Sequence, residues 1–310
     1  MRHMDGYGMV ALDGGFSGET FLAEAAGERT VVRVYAGRGA ARGPAAAESD
    51  AAVLRLVRGL LPVPEVLEVR RADDGAGTPA LLVTSFLPGE RLDLLMPRLG
   101  ATARTTVGDR LGRVLGRLAQ MPMVRAGELV DRDLQVRPWP FPGDLPGWVA
   151  GHQDGLATWM AGEYDALLAV AEQAQQLLDG LDRACLVHSD MNPKNLLVDP
   201  ATLELTGLLD WEFAHAGLPV TDLGNLLRFD RDPAFADAVL AGYLASTGGL
   251  DGLTDPGLLL DAARAADLWA LVDLASRRGE NPVTEQADAL LRAIATTGSL
   301  HAEPGRESWQ

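Results

Sequence analysis

Two polar clusters interrupt an otherwise apolar stretch, CLVHSDMNPKNLLVDPATLELTGLLDWEFA, at residues 185–214. One runs from His188 to Asn195, and the other is Asp210 with Glu212. Between them Leu196–Val198 and Leu205–Leu209 read as the arms of a hairpin that turns at 199–202. Antiparallel pairing about such a turn places Asn195 beside Asp210, within a residue or two of register. Amide and carboxylate oxygens are what a hard cation such as Mg²⁺ takes, together with waters and substrate phosphates. Asp190, five residues before Asn195, lies in the same loop and is free to face a second substrate. A carboxylate that orients a hydroxyl, with an Asn/Asp pair for metal, makes up the parts that phosphoryl transfer needs. Other chemistries fit less well. His188, Ser189 and Asp190 are sequence neighbours and cannot form a Ser-His-Asp relay. A catalytic zinc site would want more histidines at helical spacing than a chain with five of them provides.

HSDMNPKN followed by LLDWE resembles the aminoglycoside phosphotransferase family, antibiotic and metabolite kinases that share the protein-kinase fold. Its pattern is His-x-Asp, four residues, then Asn, with a later Asp opening a short motif, here fifteen residues on at Asp210. Carried over position by position, the resemblance implies a catalytic base at Asp190, metal ligation by Asn195 and Asp210, and a loop-ordering role for His188. Asp222, in PVTDLGNLL, resembles a family position that braces the catalytic loop by hydrogen bonds. Ser189 stands where the family often has Gly, and DWE replaces the DFG of protein kinases. Lys194, beside Asn195, either reaches the transferring phosphate as a point charge or is a solvated loop lysine. The resemblance covers essentially the whole chain.

The elements that must position these residues follow from patterning. The first 90 or so residues read as short strands, at MVALDG, TFLAEAA, TVVRVYA, PEVLEVRR and PALLVTSFL, with one helix from about Ala45 to Gly59. The turn GGFSGETF offers Gly14, Gly15, Ser17 and Gly18. Glycines let a backbone approach phosphates closely, and the resemblance makes this the nucleotide-positioning loop. It is no Walker A loop, because Glu19 stands where Lys would precede Thr20. The resemblance also implies that Arg33, mid-strand in VVRVY, grips nucleotide phosphates and is held by Glu48 on the following helix. Arg replaces the usual Lys there; it holds phosphate bidentately and stays charged.

After Pro88-Gly89 helical patterns dominate, at 103–120, 163–180, 234–246, 257–278 and 284–295, with an irregular Pro- and Trp-rich stretch at 131–160. A sheet-rich half and a helical half make an α+β architecture of two lobes, which the resemblance makes protein-kinase-like. The expected division is a nucleotide-binding lobe at 1–84, a hinge at 85–90 and a catalytic and substrate-binding lobe at 91–310. Adenine is expected against the hinge backbone near Ser85 and Leu87, since ligands favour the cleft between lobes.

Composition bounds the partners. The net charge is −16, and all but −3 of it lies after Glu90. Such a surface repels nucleic acid and anionic membranes and attracts cations. The single cysteine, Cys185, excludes an internal disulfide and suits a reducing cytosol. No signal-peptide core or membrane-length apolar run is present, so a cytoplasmic protein, monomer or homodimer, is expected. The function expected is ATP- and Mg²⁺-dependent phosphorylation of a hydroxyl on a cationic small molecule, an aminoglycoside or a basic peptide antibiotic such as a tuberactinomycin, with GTP as a possible donor. Asp230, Asp232 and Asp267 are the carboxylates expected to meet that substrate. The alternatives are a metabolite kinase of the same family, acting on an amino alcohol, a sugar or homoserine, and a non-catalytic nucleotide-binding regulator.

Overall fold

The structure, a computed structural model, describes residues 7–12, 19–25, 27–36, 42–73, 75, 77–141 and 143–303. The glycine-rich turn with Gly14, Gly15, Ser17 and Gly18 lies outside the described residues. The chain forms two compact units. The first draws on residues 1–103, 127–137 and 192–215; the second comprises 104–126, 138–191 and 216–310. This differs from the expected cut at 85–90, and strand pairing explains why. The short strand Glu90–Arg91 pairs with Leu197 and Val198, which ties the 196–208 hairpin to the N-terminal sheet unit.

That unit is built on a five-stranded antiparallel sheet in the order Tyr7–Ala11, Glu19–Ala25, Glu28–Tyr35, Ala80–Ser85, Val66–Arg70. Alternation selects the strands: along Ala80–Ser85, Ala80, Leu82 and Thr84 are buried and their neighbours half-buried. The helix Ala46–Val57 packs Ala47, Ala51, Leu54 and Val57 on one face, at helical spacing. Gly89 (φ +137°) closes the connector: a Cβ there would lie 2.3 Å from Thr206 Oγ1. Only glycine allows that backbone to meet the hairpin so closely.

The second unit is helical. Three of its helices start on a repeated device, an Asp or Asn cap followed by Pro at the first helical position. Asp232 precedes Pro233–Thr247, Asp255 precedes Pro256–Ser276, and Asn281 precedes Pro282–Thr297. Each cap side chain accepts a backbone N–H of the first turn, and Pro lacks only an N–H that would be unpaired anyway. Gly108, Gly112 and Gly116 form a stripe on the helix Ala101–Ala119. A Cβ on Gly112 would fall 2.0 Å from the Val239 carbonyl oxygen, so this stripe sets how closely the Pro233–Thr247 helix lies. Among the described residues no helix is long and apolar enough to cross a membrane.

Candidate active site

The metal half of the expected site lies in the sheet unit. Leu196 pairs with Leu208, and the Leu209 N–H donates to the Asn195 carbonyl at 2.9 Å, so Asn195 stands opposite Leu209 and Asp210 follows one residue on. The Leu208 N–H donates to the Pro62 carbonyl at 2.7 Å, fixing the hairpin from behind. Buried Trp211 pins the turn after Asp210 by donating its indole N–H to the Leu208 carbonyl at 3.1 Å. Asp210 itself takes the left-handed conformation, φ +62°. Aspartate tolerates that region better than most residues, and such outliers concentrate at functional sites.

Arg33 reaches this turn from mid-strand. Its Nη1 donates to Asp210 Oδ1 at 2.7 Å and its Nη2 to Glu212 Oε2 at 2.5 Å. Burial opposes the guanidinium charge, but Asp210 and then Glu212 outweigh it, and the Arg33 pKa is raised. The helix carboxylate expected to hold Arg33 is engaged elsewhere: Glu48 pairs with Arg71 at 2.8 Å. Asp50, two residues on, accepts from the Tyr35 hydroxyl at 2.7 Å and from both Arg42 terminal nitrogens, at 2.8 and 2.7 Å. Burial first, and Asp50 second, push the Tyr35 phenol well above its ordinary value.

The donor set suits a hard cation. Asp210 Oδ1 is taken by Arg33, while Oδ2 carries no hydrogen bond among the described residues and the side chain is 24% exposed. With the Asn195 amide this makes two oxygen donors, the number a Mg²⁺ ion shared with phosphates and water uses. Lys194 lies in the short 3₁₀ turn Pro193–Asn195, where its N–H donates to Asn192 Oδ1 at 3.2 Å. In the hinge segment the Ser85 N–H donates to the Glu65 carbonyl and the Ser85 hydroxyl accepts from the Glu65 N–H, both at 2.9 Å. Ser85 is thereby committed within the sheet, and Leu87, beyond the strand end, is half-buried.

The base half lies in the helical unit. The strand Cys185–Val187 is fixed by the Leu186 N–H to the Met121 carbonyl at 3.0 Å, and it launches His188. His188 is fully buried, and its Nδ1 accepts the Asp190 N–H at 3.2 Å. Asp222, 4% exposed, takes the His188 N–H on Oδ2 at 2.9 Å and the Ser189 N–H on Oδ1 at 2.7 Å. One carboxylate thus fixes two successive peptide groups, and His188 fixes a third, at Asp190. Between them Ser189 is left-handed, φ +65°, a conformation that glycine takes freely and that costs serine about 1–2 kcal/mol. Ser189→Gly is therefore expected to match or exceed the parent stability by about 0.5–1 kcal/mol, after the extra unfolded-state entropy of glycine. Thermal unfolding checks this; a clear loss would mean that the serine side chain contributes more than its strain costs.

The acidic residues expected to meet substrate divide. Asp267 is a correction: it is 3% exposed and closed off by Arg228, whose Nη2 donates at 2.6 Å and Nε at 2.9 Å, and by Asn225 Nδ2 at 3.0 Å. It sits on the inner face of Pro256–Ser276 with Ala263 and Leu271, one turn either way, so it cannot present itself to a ligand. Arg228 and Asn225 were not singled out from sequence; a charged residue ending the apolar run DLGNLLRF is the signal that marks them. Asp230 and Asp232 remain partly exposed and share one cation, Arg104, at 2.9 and 3.5 Å. The Trp-rich stretch forms an aromatic cluster: Trp148 lies 4.6 Å from Phe141 and 5.3 Å from Trp269, and donates its indole N–H to the Trp269 carbonyl.

Comparison with known proteins places this arrangement. The aminoglycoside 3'-phosphotransferase of Streptomyces ribosidificus is 30% identical over 200 residues, 62% of this chain and 70% of that protein. The GDP complex of aminoglycoside 2'-phosphotransferase-IIIa superposes with a TM-score of 0.68 at 16% identity, covering 96% of this chain and 95% of the other. A thermostable mutant of aminoglycoside phosphotransferase APH(4)-Ia, a ternary complex with ADP and hygromycin B, gives a TM-score of 0.65 at 18% identity and covers 94% of each chain. The fold is thus the α+β, protein-kinase-like one. The model of the phosphotransferase enzyme family, APH, matches residues 8–255, and the chain belongs to that family.

Proposed function

We propose that the protein transfers the γ-phosphoryl group of ATP to a hydroxyl of a cationic antibiotic. The observation that carries this is the hairpin register that brings Asp210 within one residue of the position opposite Asn195, with Arg33 forked onto the same turn. Asp190 orients the acceptor hydroxyl and takes its proton as the oxygen attacks phosphorus in line; the bond to the ADP oxygen breaks and ADP leaves. Asn195 and Asp210 would hold Mg²⁺, which when bound neutralises charge on the phosphates. Arg33 grips the phosphates, Lys194 adds a point charge near the one transferred, and Gly14, Gly15, Ser17 and Gly18 cradle them. The adenine lies against the connector, meeting backbone at Leu87 rather than the N–H of Ser85, which is already bonded. His188 and Asp222 keep the loop that carries Asp190 in one conformation, which is what positioning catalysis requires.

The substrate class rests on charge and kinship. The chain carries −16 overall, and Asp230 and Asp232 share a single guanidinium, leaving one net negative charge for an ammonium group to meet. The Streptomyces ribosidificus relative bears the name of an aminoglycoside phosphotransferase, and one solved neighbour holds hygromycin B. A coupled ADP-release assay with ATP or GTP and Mg²⁺, against aminoglycosides, basic peptide antibiotics and basic metabolites, tests the proposal. Turnover on one antibiotic class supports it. Turnover on metabolites alone would reassign the substrate and keep the chemistry. Nucleotide binding without turnover on any acceptor would overturn it in favour of a regulator.

A further inference from the structure

The structure assigns to Glu212 the task of holding Arg33 in place for the nucleotide phosphates, a task expected of a helix carboxylate. Three observations in the sheet unit converge on it. Glu212 is nearly buried, its side chain 5% exposed, and it meets Arg33 Nη2 at 2.5 Å. Both acids on the inner half of the helix Ala46–Val57 are engaged elsewhere, Glu48 by Arg71 and Asp50 by Tyr35 and Arg42. The residue on the strand is arginine, whose planar fork presents two nitrogens to two carboxylates at once; a lysine ammonium would have to choose between them or sit as a point charge.

The charges explain what the second carboxylate adds. Arg33 facing Asp210 alone would form a neutral pair, and the aspartate would be spent on the guanidinium. With Glu212 sharing the fork, the cluster carries one net negative charge and Asp210 keeps Oδ2 for a cation. Glu212 is therefore a positioning residue, acting through Arg33 and sparing Asp210. This rests on the nucleotide-dependent function proposed above and extends it to a residue that the metal and base roles leave unassigned.

The test is calorimetric titration of the full chain with ADP and Mg²⁺, alongside thermal unfolding. Glu212→Gln keeps the shape and removes the charge, and it is expected to weaken ADP·Mg affinity about tenfold while Glu48→Gln stays within about twofold. In the Arg33→Ala background, Glu212→Gln should add nothing, because the residue through which it acts is gone. Glu212→Asp, with the charge one methylene shorter, should recover part of the loss; should the Gln variant fail to fold, an unchanged affinity in the Asp variant would overturn the assignment. A Glu212→Gln protein that unfolds earlier yet binds ADP as tightly as the parent would do the same, since a purely structural role moves only stability. Equal weakening by Glu48→Gln would return the task to the helix. If the unaltered chain binds neither ADP nor AMP-PNP with Mg²⁺, the proposed function falls and this assignment with it; normal binding with an indifferent Glu212 sinks the assignment alone.

Discussion

Asp190→Ala is expected to lower turnover roughly 10²- to 10⁴-fold while leaving ADP·Mg affinity close to that of the parent. The side chain is half-buried in a loop whose peptide groups are bonded to Asp222 and His188, so its removal leaves the loop's own supports intact. What is lost is a positioned acceptor for the hydroxyl proton and the alignment of that oxygen with phosphorus. In a loose transition state the alignment counts for as much as the proton, because there is little covalent assistance to give. Asp190→Asn separates the two: the amide can still orient a hydroxyl by accepting its hydrogen bond, but it takes no proton at neutral pH. Steady-state kinetics on both variants, with calorimetry for ADP, would read the difference. Near-normal turnover in Asp190→Ala would remove this residue from the chemistry and with it the proposed mechanism.

Asp267→Ala is expected to cost about 3–5 kcal/mol of stability, the largest effect of any single change considered, because it leaves a buried guanidinium without its counter-charge. Burial opposes the Arg228 charge and Asp267 outweighs it, so the pKa of Arg228 is raised. Without Asp267 the same burial works unopposed by any bonded carboxylate, and Asn225 Nδ2 loses its acceptor too. Among the described residues Asn225 Oδ1 is already buried without a hydrogen-bond partner, so the site has little polar capacity left with which to compensate. Removing both charges together, as Asp267→Leu with Arg228→Met, should recover most of the loss, as apolar replacement of a buried ion pair commonly does. Denaturant unfolding would measure both. A loss below about 1 kcal/mol in Asp267→Ala, combined with a raised KM for the acceptor, would restore Asp267 to the substrate site as first expected from the sequence.

The two outcomes for carboxylates show what a sequence discloses. The hairpin that joins Asn195 to Asp210 was legible because its two arms are close in the chain. A hairpin of a dozen residues fixes its own register to within one residue: the turn pairs Val198 with Leu205, and an irregularity between Leu197 and Val198 then shifts the pairing so that Leu196 meets Leu208. The long helices were legible through their apolar spacing, and the Asp-Pro and Asn-Pro pairs that cap three of them account for where those three begin. The helix Leu145–Gly151 was not, because Pro142 and Pro146 break the periodicity within seven residues. Its signal is the cap: Asp144 accepts the Gly147 N–H at 2.7 Å. Asp267 looked like one more surface acid in an acidic protein. Its place among Ala262, Ala263, Ala266 and Leu271 was the clue that it faces inward, and charge counting concealed it. The partner of Arg33 was beyond reach for a different reason. Asp210 and Glu212 stand 177 and 179 residues further on, and no local pattern encodes a contact at that separation.

That separation also bears on how the chain is made. The sheet unit takes its parts from 1–103, 127–137 and 192–215, so synthesis must reach residue 215 before the unit has all its pieces. At ribosomal speeds the strand bearing Arg33 emerges roughly 10 to 35 s ahead of the carboxylates that neutralise it. During that interval the nascent sheet lacks both the hairpin that lies against Glu90–Arg91 and the anions its central cation requires. Completion of the sheet unit is thereby a late event in biosynthesis, although the five strands of its main sheet are translated first.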